Sequence, residues 1–243
     1  MKNILKDKEF IKRIICIALY FLTTMLLVYP VASLIGMIFK GASEAVLQVV
    51  FQTVMYLILI TMSVLLVKSE FVTGINPLKR KKSSETIMEV FIGCVVVYAA
   101  MFVGAMLTNA LGGAPDSENE AAINAILKAP IGVLLIPIIC IIGPVTEELV
   151  FRGAIQGGLE RLKMPKILCV LVAGTLFGLI HVIGAGDYVQ LPAYLLAGLA
   201  FGFIYYKSEN IYVPICVHII MNSISTGLSY IQIISELIGI EMA

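Results

Sequence analysis

Long apolar runs, nearly free of charge, alternate with short polar or basic segments along the whole chain. A run of about 20 apolar residues, rising roughly 1.5 Å per residue as a helix, crosses a hydrocarbon core of about 30 Å. The pattern predicts seven such spans. They lie at about 14–39, with a kink at Pro30, then 45–67, 90–111, 131–162, 167–184, 188–206 and 211–228. The fourth is expected to break and restart at Gly143-Pro144, because proline lacks the N–H a helix interior needs. The segment 112–130 reads as a loop, Gly-rich and then acidic. The tail 229–240 is apolar but short, and reads as an extension of the last helix or an interfacial segment. The expected fold is therefore an all-α, polytopic transmembrane helical bundle of about seven to eight spans. A basic segment, Lys2 to Arg13, precedes the first run as in a signal peptide. That run is too long for a signal h-region and no polar cleavage segment follows, so it reads as a spanning helix that stays attached.

Composition agrees with a membrane protein. The 243 residues are 60% hydrophobic and 14% charged, with mean hydropathy +1.00, against about 25% charged in soluble domains. The net charge of +1 gives no reason to expect nucleic acid as a partner. Fifteen of the 17 basic residues fall on one side if the N-terminus is cytoplasmic, leaving Lys40 and Lys128 outside. That is a positive-inside bias, and it predicts a multi-pass protein of the plasma membrane with membrane lipids as its surroundings. The run Lys79 to Lys82 fits this role as a topology signal. Cys16, Cys94, Cys140, Cys169 and Cys216 all lie in apolar runs and form no C-x-x-C pair, so neither a disulfide framework nor a zinc knuckle is expected. Gly153/Gly157, Gly174/Gly178 and Gly198/Gly202 are small pairs at four-residue spacing, which lets helix backbones approach closely in lipid.

Ionisable groups within spans cost about 2.5–3.5 kcal/mol each on insertion scales and are functional candidates by default. The chain has two histidines, His181 and His218, both within predicted spans. Glu147 and Glu148 sit inside the fourth run, with Arg152 one turn on, and Asn222 lies one turn beyond His218. Glu147 and His181 are 15 and 14 residues from the hairpin near Met164-Pro165, so each lies about 21–22 Å along its helix from that turn. They should share one depth on neighbouring antiparallel helices, with His218 and Asn222 at a broadly similar level. Glu148 and Arg152 are i,i+4 and should pair. Glu147 points about 100° away and is left for chemistry. A restart at Gly143-Pro144 would also put Glu147 in a first helical turn, where the helix dipole favours a carboxylate.

A carboxylate and an imidazole at one depth can hold a water between them. Glu147 would take its proton as general base while His181 orients it. His218 and Asn222 could both donate hydrogen bonds to a developing oxyanion. These parts describe water attack on a carbonyl, as in amide hydrolysis.

Glu147-Glu148-x-x-x-Arg152, Phe177-x-x-x-His181 and His218-x-x-x-Asn222 resemble, in order and in separate spans, the three motifs of the CAAX prenyl protease and bacteriocin-processing (CPBP, or Abi) family. The resemblance covers roughly residues 131–225. It implies an intramembrane endopeptidase with N-terminal helices and loops over 1–130 and a catalytic core over 131–243, in one integrated membrane domain. It implies Glu147 and His181 as the water-activating pair and His218 and Asn222 as the oxyanion pair. Glu148 and Arg152 would be supporting residues, and Phe177 a packing neighbour of His181. Two chemistries are open. A metal-free glutamate mechanism is preferred, because there is no H-E-x-x-H and a zinc site built from Glu147, His181 and His218 leaves Asn222 without a role. The substrate implied is a hydrophobic or lipid-modified peptide or protein. A non-catalytic interaction or bacteriocin-immunity protein on the same scaffold is the alternative. A transporter is a third reading, disfavoured because no inverted repeats are evident.

Overall fold

A computed structural model describes residue 21 and residues 26–72 and 83–239. All regular structure among them is helical. The helices are α1 (Val28–Ile38), α2 (Glu44–Val72), α3 (Ser83–Ala110), α4 (Glu118–Leu127), α5 (Pro130–Arg161), α6 (Lys166–Ile183), α7 (Leu191–Ser208) and α8 (Tyr212–Ile238). A 3₁₀ turn, Tyr188–Gln190, leads into α7.

Among the described residues, six helices are long and apolar enough to cross a membrane, against the seven to eight expected. They are α2, α3, α5, α6, α7 with its preceding turn, and α8. Most of the predicted first span, and the basic runs Lys2 to Arg13 and Lys79 to Lys82, lie outside the described residues. The part of that span that is described bends at Leu27, and α1 begins at Val28. Pro30 thus sits in a first turn, where its missing N–H leaves no hydrogen bond unmade.

Three other expectations change. The region 112–130 holds a helix, α4, capped by Ser117. The Ser117 hydroxyl accepts from Glu120 N–H while the Glu120 carboxylate accepts from Ser117 N–H, a reciprocal capping box. The fourth run does not break at Gly143-Pro144. It changes winding there: a π segment, Ile138–Ile142, passes into α-helix at Gly143–Glu148 and returns to π over Leu149–Gln156. The wider π turn absorbs the proline without opening the chain, so Glu147 does not lie at an exposed helix N-terminus. The tail is the continuation of α8, which ends where Gly239 takes a left-handed conformation (φ 73°).

Two of the three small-residue pairs, Gly174/Gly178 and Gly198/Gly202, do the packing assigned to them. A methyl group added at Gly174 would lie 2.9 Å from the Leu199 backbone nitrogen, and one at Gly198 would lie 2.6 Å from the Gly174 carbonyl oxygen. The backbones of α6 and α7 therefore touch. The α5 helix crosses the same pair, with Val150, Phe151, Ala154, Ala173 and Phe177 buried together. Large apolar side chains such as Phe91, Ile167 and Leu228 are exposed on the outer faces, as lipid-facing positions require. Cys94, Cys140, Cys169 and Cys216 are free thiols.

Candidate active site

The winding of α5 decides what its two acids meet. Glu148 is fully buried and faces Arg152, also fully buried, with Nε 3.2 Å from Oε2. The guanidinium donates from Nη2 to the Gly198 carbonyl at 2.9 Å and lies over the rings of Phe177, Phe201 and Phe151 at 4.9, 5.3 and 5.9 Å. One turn further, buried Gln156 donates to the Gly202 carbonyl at 3.0 Å. Two side chains four apart on α5 thus reach two carbonyls four apart on α7. The absence of side chains at Gly198 and Gly202 leaves room for this approach.

Glu147 faces a cavity of about 830 Å³. Its side chain stays 20% exposed and that of His181 16%, so this acid, unlike Glu148, is reachable. Glu147 Oε2 lies 3.9 Å from His181 Nε2 and 3.8 Å from His218 Nε2. His181 Nδ1 is 2.8 Å from the Phe177 carbonyl oxygen, which can only accept, so Nδ1 carries the proton. His218 Nδ1 is 3.0 Å from Glu148 Oε1, and a carboxylate paired with Arg152 accepts there too. In both neutral rings the Nε2 lone pair is then the one turned to Glu147. Separations of 3.8–3.9 Å are too long for direct hydrogen bonds and suit a small molecule held between.

All seven residues singled out in the sequence meet around this floor, but one pairing differs. His218 is bracketed by the two acids rather than paired directly with Asn222. The Asn222 side-chain amide donates to the Ile139 carbonyl at 3.1 Å, and Asn222 also lines the cavity. Its second amide hydrogen remains available. Arg152 is the buried partner of Glu148 that the i,i+4 spacing predicted, so it does not stand with the exposed basic residues among which it is also counted. Among the described residues, no three His, Cys, Asp or Glu side chains are gathered at metal-ligand spacing. Glu147, His181 and His218 have the donor chemistry zinc takes and would be the residues to hold one.

The structure adds residues that sequence reasoning passed over. Tyr194, on α7, stacks on His181 with centroids 4.7 Å apart and planes 17° from parallel. Its hydroxyl is 2.6 Å from that of Ser117. Tyr56, on α2, lines the cavity beside Gly143, one turn before Glu147. Part of this was legible: Ser117-x-x-Glu120 is a capping box, which marks the start of a helix after Ser117. No local pattern marks either tyrosine.

Residues 129–224 match the family profile described as type II CAAX prenyl endopeptidase, Rce1-like. A Bacillus subtilis (strain 168) protein named "Putative membrane peptidase YdiL" is 30% identical over 129 residues, 53% of this chain and 50% of that protein. The Staphylococcus aureus (strain USA300) protein named "Membrane-embedded CAAX protease MroQ" is 34% identical over 130 residues, 53% of this chain and 51% of its own length. The chain spans about half the length of the curated relatives it matches. No solved structure matches. The matched segment carries Glu147, both histidines and Asn222, which line one cavity, and over residues 129–224 the chain is similar to type II CAAX prenyl endopeptidases.

Proposed function

We propose that this protein is an intramembrane endopeptidase that hydrolyses a peptide bond in a hydrophobic or lipid-modified substrate with water activated by Glu147. The observation that carries the reading is the convergence of Glu147 Oε2 with both Nε2 atoms at 3.8–3.9 Å on the cavity floor. A water seated there donates one hydrogen to Glu147 and the other to an imidazole. Its oxygen attacks the substrate carbonyl carbon while Glu147 takes the proton. The carbonyl oxygen becomes an oxyanion, within the reach expected of the second Asn222 amide hydrogen. Glu147 returns its proton to the amide nitrogen as the C–N bond breaks. Glu148, held by Arg152, fixes the His218 ring so that Nε2 faces inward.

Cavity shape supports a substrate that arrives from the bilayer. Phe102 and Met106 on α3 and Ile224 and Leu228 on α8 line the cavity, yet are 68, 59, 46 and 62% exposed. Such residues form a rim open toward lipid rather than a closed wall. The names of the relatives also favour a peptidase.

The test compares purified wild-type protein with Glu147→Gln and His181→Ala on fluorogenic lipidated and hydrophobic peptides, with and without a chelator. Each variant should insert and fold normally and lose about 100-fold or more in rate, in keeping with the usual worth of a general base. Loss of wild-type activity on chelation, restored by zinc, would overturn the metal-free mechanism. Full activity in Glu147→Gln would end the hydrolytic reading in favour of an interaction protein.

A further inference from the structure

His181 belongs to α6, yet its ring is held on one face by a residue of α7. Phe177 packs against the same ring, with centroids 4.6 Å apart and planes 41° apart. Tyr194 is the α7 residue stacked on it. The Nδ1 bond to the Phe177 carbonyl fixes the ring at one edge. Tyr194 opposes tipping of the ring away from Glu147, because such rotation would separate the two stacked faces.

The other end of Tyr194 leaves the site. The Ser117 hydroxyl lies 3.3 Å from a Glu120 carboxylate oxygen. The Tyr194 and Ser117 hydroxyls share a hydrogen bond across their 2.6 Å contact, and either can donate. Ser117 caps α4, whose Ile123, Asn124 and Leu127 line the cavity. Two further bonds dock the same segment on the start of α7: Gln190 donates to the Ala114 carbonyl at 2.7 Å, and Glu118 N–H donates to Asp187 at 3.1 Å. The α4 segment is thus a roof on the cavity, and Tyr194 joins it to the imidazole.

We infer that Tyr194 is a positioning residue with two separable functions: its ring sets the His181 imidazole toward Glu147, and its hydroxyl seats the α4 roof on bound substrate. The inference rests on the hydrolytic reading for its kinetic part alone. Tyr194→Phe keeps the stack and breaks the roof contact, so KM should rise severalfold with kcat near wild type. Tyr194→Leu removes both, so kcat should also fall about tenfold or more. Ser117→Ala, which also removes the α4 cap, should raise KM at least as much as Tyr194→Phe.

A readout independent of activity comes from the histidine count. With two histidines in the chain, isotope-labelled histidine gives two imidazole signals in NMR, assigned by the loss of one in His218→Gln. The His181 signal should keep its ring-current shift in Tyr194→Phe and lose it in Tyr194→Leu. Wild-type kcat in Tyr194→Leu, or an equal kcat loss in Tyr194→Phe, would overturn the inference. So would a His181 signal unmoved in Tyr194→Leu, even if no peptide is cleaved by any variant. If the NMR shift behaves as expected but Glu147→Gln cleaves like wild type, the hydrolytic reading has failed and the positioning of His181 by Tyr194 stands.

Discussion

Arg152 is fully buried, and its surroundings explain how a charge persists there. It has a carboxylate at 3.2 Å, a backbone carbonyl at 2.9 Å and three aromatic faces around it. Removing one member of such a pair leaves an uncompensated buried charge, which typically costs about 3–5 kcal/mol. Arg152→Ala should therefore lower the thermal unfolding temperature of the purified protein sharply. Replacing both partners, as in Glu148→Met with Arg152→Leu, should recover much of that stability. It should not recover peptide cleavage, because His218 loses the acceptor that orients it. Recovery of both would mean the pair is a packing device only. The i,i+4 spacing made this pair legible in the sequence. The bond from His218 to Glu148 was not legible, since the two residues are 70 positions apart.

Helices α6 and α7 meet backbone to backbone, and this contact places His181 and Tyr194 against each other. Gly174→Ala would put a methyl group 2.9 Å from a main-chain nitrogen that no side-chain rotation can move. The helices would have to separate, at a cost of about 1–3 kcal/mol for overpacking. Gly227, in α8, has no atom within 4 Å of an added methyl group. Gly227→Ala should be neutral or stabilise by up to about 1 kcal/mol through helix propensity. Thermal unfolding of both variants in one detergent checks the contrast, and equal behaviour would remove the argument for glycine-mediated packing. Four-residue glycine spacing announced this contact in advance. The π winding of α5 was not announced, because hydrogen-bond register leaves no mark in residue type.

At the scale of the whole molecule, the cavity joins segments from both halves of the chain. Tyr56 and Phe102 come from before residue 129, where the family match begins, and Asn222 from near its end. If substrate enters between α3 and α8, bulk at that rim should obstruct it. Ala105→Trp and Ser225→Trp, both on exposed cavity-lining positions, should raise KM severalfold for a membrane-embedded peptide, with a smaller effect on kcat. An unchanged KM in both would rule out this route.

The sequence alone determined the membrane setting, the helical class, the Glu148–Arg152 pair and the common depth of Glu147 and His181. Each of these follows from local composition or from the fixed rise and turn of a helix. Tertiary structure decided that His218 lies between two acids, that a capped helix roofs the cavity and that Tyr194 holds His181. Those facts depend on how separate helices rotate and lean on one another. That is set by the summed packing of many side chains, which no single stretch of sequence encodes.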